Sequence, residues 1–138
     1  MKLCGKCQKP LTLSEQQLGL HVCESTGGTA APAGALRYDG DKPKMGLISP
    51  IAMKGLADVL TFGAKKYASH NWRKGMDWSR SYDSLLRHLA AWLGGEDHDP
   101  ESKLPHIDHI ACNVMFLQEY RITHPELDDR FKYPKADK

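Results

Sequence analysis

The chain has 138 residues, 41% of them hydrophobic and 26% charged, with a formal net charge of +2. That length allows one globular domain with at most a small appendage, and the charge is too mild to indicate duplex DNA binding. No apolar run is long enough to span a bilayer, and the first ten residues lack the apolar core of a signal peptide, so a cytoplasmic protein is expected.

Residues 1–25 carry Cys4-x-x-Cys7 followed by His21-x-Cys23. A C-x-x-C turn puts two thiolates on one side of a tight loop, the usual first half of a tetrahedral zinc site. In a strand, His21 and Cys23 share one face. In a reducing compartment such a cluster indicates metal more often than disulfides. A structural Zn2+ knuckle is therefore expected, with the ion supplying the fold that so short a segment cannot obtain by burial. The alternatives are a redox motif and free thiols; no thioredoxin-like βαβ pattern surrounds the cysteines. Residues 26–36 are almost wholly Gly, Ala, Thr and Pro, without periodicity, and read as a flexible linker.

Residues 37–138 are expected to form the main domain. After a turn-rich approach, Ser49 caps a helix with Pro50 at its first position. Ala52, Leu56, Val59, Leu60, Gly63 and Tyr67 keep helical spacing, which places this helix at about 50–68. The next loop, KKYASHNWRKGMDWSR, mixes aromatics with cations. Aromatic faces stack on bases and cations pair with phosphates, so Lys66, Tyr67, Asn71, Trp72 and Arg73 are candidate nucleotide contacts. Trp78 reads as core filling instead.

From Ser81 to Asn113 the chain reads as helix, acidic turn, helix. Ser81 is expected to cap the first helix, and Gly94-Gly95 to end it. Leu85, Leu86, Leu89 and Leu93 share one face, with Ser84, His88 and Trp92 on the neighbouring one. Glu96, Asp97, Asp99 and Glu101 then crowd the turn. Carboxylates this close repel unless they are solvated or share a cation, and hard oxygen ligands suit Mg2+ or Mn2+. Alone, the turn reads as an exposed acidic loop. The next helix changes that reading: His106, His109 and Asn113 stand at i, i+3, i+7 on one polar face, beside the carboxylates. Asp108 points elsewhere, with Cys112, Met115 and Glu119. Lys65, Lys66, Arg73, Lys74, Arg80 and Arg87 precede the acidic turn, a basic half before an acidic one.

RYDGDKP, FGAKKYASHNWRKG, LLRHLAAWLGGEDHDPES and PHIDHIACNVMFLQEY, in that order and within about residues 37–122, resemble the phage-type dATP/dGTP diphosphohydrolase N-terminal family. That family is similar to the MazG-like nucleotide pyrophosphohydrolases. The resemblance implies an all-α fold, a MazG-like helical bundle completed by oligomerisation as a homodimer or homotetramer. It implies hydrolysis of a purine (deoxy)nucleoside triphosphate, dATP or dGTP, to the monophosphate and pyrophosphate, with Mg2+ or Mn2+. The setting it implies is the cytoplasm of a phage-infected or prophage-bearing bacterium. The N-terminal knuckle lies outside the resemblance. In the MazG group the ions are held by E-E-x-x-E on one helix and E-x-x-D on the next. Here Arg87-His88 and His106-x-x-His109 stand where acids belong, so the ligand set does not carry over.

The expected mechanism joins both readings. Glu96, Asp97 and Asp99, with His109 or Asp108, hold the divalent ions, and a bound water attacks the α-phosphorus. His88 or a carboxylate is the general base. Arg87, Lys66 and Arg73 offset phosphate charge. Trp72 or Tyr67 stacks on the base, and Asn71 or Asn113 bonds its edge, with His106 on the same substrate-facing side. Two rivals remain. One is an HD-type phosphohydrolase built on His88, His98-Asp99 and Asp108, although its dipeptide falls in a turn here. The other is a non-catalytic zinc-containing protein that binds a partner or nucleic acid, which the enzyme reading does not expect.

Overall fold

The computed structural model describes residues 2–4, 8, 10–11 and 34–136, and the chain divides into two compact units, Met1–Lys42 and Pro43–Lys138. In the first unit Leu3 and Pro10 form an isolated antiparallel bridge. Gln8 N–H donates to the Cys4 carbonyl and Leu11 N–H to that of Lys2, both at 2.9 Å. Cys4 is half-buried. The other expected zinc ligands, Cys7, His21 and Cys23, lie outside the described residues, as does most of the expected linker.

The second unit is helical, and no strand occurs among the described residues. This is the expected all-α class. Helix α1 spans Pro50–Lys66, α2 spans Trp78–Leu93 and α3 spans His106–Thr123. Short 3-10 turns occupy Met45–Leu47, Asn71–Lys74 and Pro125–Leu127.

The caps explain where the helices begin. Ala52 N–H donates to Ser49 Oγ at 3.3 Å, with Pro50 next in line where a missing N–H costs nothing. Helix α2 departs from expectation. It starts at Trp78, and Ser81 lies inside it, buried, with its hydroxyl unpartnered. The cap comes from fifty residues away: Asp129 accepts from Ser79 N–H at 2.8 Å and also from the Ser79 hydroxyl. A carboxylate at a helix N-terminus meets both free N–H groups and the positive end of the dipole. Arg130 then lies 5.0 Å from the centre of the Trp78 ring.

Helix α3 is the spine. It packs against both other helices, more extensively against α2. Its approach to α1 depends on Gly55, which is buried; a Cβ there would overlap the Asp108 carboxylate. The apolar core is small: Val59, Cys112 and Tyr120 are its buried members, beside buried Ser81, His106 and Asn113. Many large apolar side chains stay exposed, among them Ile51, Leu86, Leu93, Ile107 and Ile122. No helix among the described residues is long and apolar enough to cross a membrane.

Candidate active site

Between α1 and α2, above α3, lies an open cleft of about 1480 Å3 lined also by the Asn71–Lys74 turn. That is ample for a small ligand, whose pockets run to roughly 300–1,000 Å3. One end is polar and the other aromatic.

The acidic turn builds the polar end. Its backbone is closed rather than loose. Asp99 N–H donates to the Leu104 carbonyl at 2.8 Å, Lys103 N–H to that of Asp99 at 2.8 Å, and His106 N–H to that of Asp97 at 2.9 Å. Ser102 N–H donates to Asp99 Oδ2 at 2.8 Å. These bonds aim Asp99 inward, leaving its side chain only 18% exposed. Burial works to raise the Asp99 pKa, but the Ser102 hydrogen bonds outweigh it, and the carboxyl ends below its ordinary range. Asp99 therefore stays ionised at neutral pH.

Three imidazoles converge on that carboxylate. His88 Nδ1 and His106 Nδ1 lie 2.8 Å apart. His106, 3% exposed, also reaches Glu96 Oε1 through Nε2 at 2.7 Å. His109 stacks on His88 with ring centres 4.4 Å apart and planes at 6°. Its Nε2 meets Ser102 Oγ at 2.7 Å and lies 4.0 Å from Asp99 Oδ2. Burial lowers the pKa of His88, helped by the neighbouring His109, and burial likewise lowers that of His109. Both rings are thus neutral near pH 7, the form that binds a metal or accepts a proton. One donor atom each from His88, Asp99 and His106 fall within 4.8 Å of one another. An ionised carboxylate beside two imidazoles fits a divalent cation.

At the aromatic end Trp72 stacks on Phe116, with ring centres 4.6 Å apart, and the Arg73 guanidinium lies 4.7 Å from the Trp72 ring centre. Arg73 also pairs with Glu119 at 3.1 Å. Beneath them the Tyr120 hydroxyl donates to the Trp72 carbonyl at 2.6 Å. Trp72 is therefore engaged by the protein itself, whereas Tyr67 is exposed.

Of the residues singled out as substrate contacts, Lys66, Tyr67, Asn71, Trp72, Arg73 and Asn113 all line the cleft, and so does His106. Asn113 is held by its own helix and by α2, donating to the His109 carbonyl at 2.9 Å and to Ser84 Oγ at 3.3 Å. Lys66 is tied to Glu101 at 2.5 Å. Arg87, His88, Glu96, Asp99 and His109 line the cleft as well. Asp97, His98 and Asp108 do not, and Asp108 faces Gly55 instead. Trp78 half-fills the interior, its Nε1–H donating to the His124 carbonyl at 3.1 Å. Cys112 is buried and its thiol is pushed up to about 11, so it is inert. Sequence reasoning overlooked Ser102, which orients both Asp99 and His109. The D-x-x-S spacing from Asp99 was the available signal, since Asp accepts from backbone N–H groups a few residues on. It also passed over Arg80 as a site residue; Arg80 and Arg87 line the cleft and make no ion pair among the described residues.

The family described as "dATP/dGTP diphosphohydrolase, N-terminal" matches residues 32–130. A protein of Salmonella phage PMBT28 named "dATP/dGTP diphosphohydrolase" is 34% identical over 95 residues. That match covers 69% of this chain but 32% of the relative, so the chain spans about a third of the length of the curated relative it matches. No solved structure matches.

Proposed function

Because this chain belongs to the dATP/dGTP diphosphohydrolase N-terminal family, we propose that its helical unit hydrolyses a purine deoxynucleoside triphosphate, dATP or dGTP, to the monophosphate and pyrophosphate. One observation carries this reading. Donor atoms of His88, Asp99 and His106 lie within 4.8 Å of one another in a cleft that also exposes the unpaired Arg80 and Arg87. Cation-binding donors beside free guanidinium groups suit a polyphosphate.

His88, Asp99 and His106 are the residues to hold a divalent ion, which when bound would polarise phosphate oxygens and lower the pKa of water. The chain's own groups do the rest. Arg87, next to His88, and Arg80, two turns earlier on α2, neutralise the triphosphate with planar, two-pronged donors. His109, kept neutral by burial, accepts the proton of the attacking water. The water oxygen bonds to the α-phosphorus, the bond to the bridging oxygen breaks, and pyrophosphate leaves with the electron pair. Tyr67, exposed and with the Lys66 ammonium 5.5 Å from its ring centre, stacks on the base, and Asn71 bonds the base edge. Trp72 serves as the floor of that end.

The exposed apolar side chains support a homodimer or homotetramer around this unit. A core of so few buried side chains is thin for an independent domain, and large exposed apolar patches mark association surfaces. At the N-terminus the spacing of Cys4, Cys7, His21 and Cys23 supports a separate structural Zn2+; elemental analysis of the purified protein checks it.

The imidazole-rich donor set favours one second reading, an HD-type phosphohydrolase that releases nucleoside and inorganic triphosphate. Incubation with each dNTP and NTP plus a divalent ion, with the products resolved, separates the two. Deoxynucleoside monophosphate and pyrophosphate are expected. Inorganic triphosphate would move the site to HD-type chemistry, and no turnover with any ion would leave a binding protein.

A further inference from the structure

We propose that the polar end of the cleft is a nitrogen–oxygen site for a first-row transition dication, not an oxygen-only site for Mg2+. His106 would ligate through Nδ1 and Glu96 would act as its positioning carboxylate. The inference deepens the proposed function, on which it rests for the role of the cleft.

Proton bookkeeping fixes the orientation of His106. Glu96 is a carboxylate and only accepts, so the 2.7 Å contact requires the proton on His106 Nε2. His106 Nδ1 is then the bare nitrogen, and it faces His88 Nδ1 at 2.8 Å. With His106 in the neutral form that binds a metal, His88 Nδ1–H is the donor of that contact. A cation entering between the two rings would take the place of that one proton, which would shift to His88 Nε2, and would face two ring lone pairs. Asp99 supplies the third donor, already aimed by Ser102 N–H. Two ligands each about 2.0–2.2 Å from one ion sit roughly 3–3.5 Å apart. The 2.8 Å nitrogen pair within the 4.8 Å cluster needs little movement to reach that spacing. A carboxylate behind a metal-binding imidazole fixes its tautomer and raises its basicity, and such partners recur at metal–histidine sites. His109 and Ser102 complete the outer layer, through the ring stack on His88 and the hydrogen bond between them.

This donor set selects the ion. Mg2+ takes oxygen ligands and sheds its water reluctantly. Imidazole suits iron, nickel, copper and zinc, and also accepts manganese and cobalt in the order of their affinities. The turn's other acids do not offset this choice. Asp97 lies outside the cleft, and Glu101 is paired with Lys66.

Mn2+ is the probe of choice, because the N-terminal cysteines prefer softer ions and bound Mn2+ reports nitrogen ligands directly. The full chain is titrated with Mn2+ and followed by electron paramagnetic resonance, with pulsed detection of 14N coupling. The wild-type protein is expected to bind Mn2+ with 14N coupling, and a large excess of Mg2+ is expected not to displace it. His88→Ala and His106→Ala should each weaken binding and reduce the coupling. Glu96→Gln should retain the coupling while weakening affinity about 10- to 100-fold. Asp97→Asn should change neither. Absence of 14N coupling in the wild type, displacement by comparable Mg2+, or unaltered coupling in both histidine variants would overturn the proposal; the first two readings need no variant to fold. Nitrogen-coupled Mn2+ without dNTP hydrolysis would sink the proposed function and leave this site standing. Hydrolysis without nitrogen coupling would do the reverse.

Discussion

At the polar end of the cleft His88 and His109 are pushed toward the neutral form by burial. At the aromatic end His124 is pulled toward the charged form, first by the Arg73 carbonyl that accepts from its Nε2 at 2.9 Å and then by Glu126. In His109 and His124 the same side chain is put to opposite uses about four turns apart along α3. The aromatic end fixes the chain: Tyr120, Trp72, Phe116 and His124 interlock, and the Tyr120 hydroxyl and His124 Nε2 are spent on backbone carbonyls. The polar end keeps neutral imidazoles and an ionised carboxylate close together in a partly buried cluster. One end holds the fold, and the other holds reactive groups in place on it.

That division is open to attack, beginning with the largest effect. Tyr120→Ala empties a fully buried side chain and should cost about 3–5 kcal/mol, read from the shift in a urea unfolding midpoint. A loss below about 1 kcal/mol would mean that the aromatic end is not the anchor. Asp99→Asn should do the opposite. Its remaining carbonyl oxygen still accepts from Ser102 N–H, so the loss of stability should stay well below that of Tyr120→Ala, while turnover falls at least about 100-fold with one of the three ion-holding groups gone. Equal turnover in that variant would remove Asp99 from the site. Asp129→Ala tests the long-range cap of α2 and should lower the urea midpoint by less than Tyr120→Ala does, without changing the product formed.

The smallest effect sharpens the contrast most. The folded-state pKa values of His88 and His109 lie below the ordinary 6.5. Below that pH the unfolded chain binds more protons than the folded one, so these residues lower stability as the pH falls toward their folded values. His124 has a raised folded pKa. Its contribution is fully present below about pH 6.5 and is lost as the pH rises through the folded value. Asp99 acts only lower, since its pKa sits below the ordinary 3.8 and its contribution is lost as the pH falls through that folded value. Thermal melts of the metal-free protein between roughly pH 7 and pH 5 should therefore flatten in His109→Asn and steepen in His124→Asn. Parallel shifts in both variants would erase the distinction between the two ends.

Local rules in the chain sufficed for much of this architecture. Ser49-Pro50 opens α1 and Gly94-Gly95 follows α2, because those residues satisfy or permit helix ends wherever they occur. The i, i+3, i+7 spacing puts His106, His109 and Asn113 on one side of α3 from periodicity alone, and all three line the cleft. The sequence also held the motifs by which the family is met. Tertiary structure decided the remainder, because it concerns which groups meet across a loop. Asp129 and Ser79 are fifty residues apart, so no local pattern announces that cap. Glu96, Asp97 and Asp99 look alike in a row. Only the closed turn separates a carboxylate bound to His106, one left exposed and one aimed inward by Ser102. A backbone hydrogen bond and a few ångströms set those roles, and composition is blind to both.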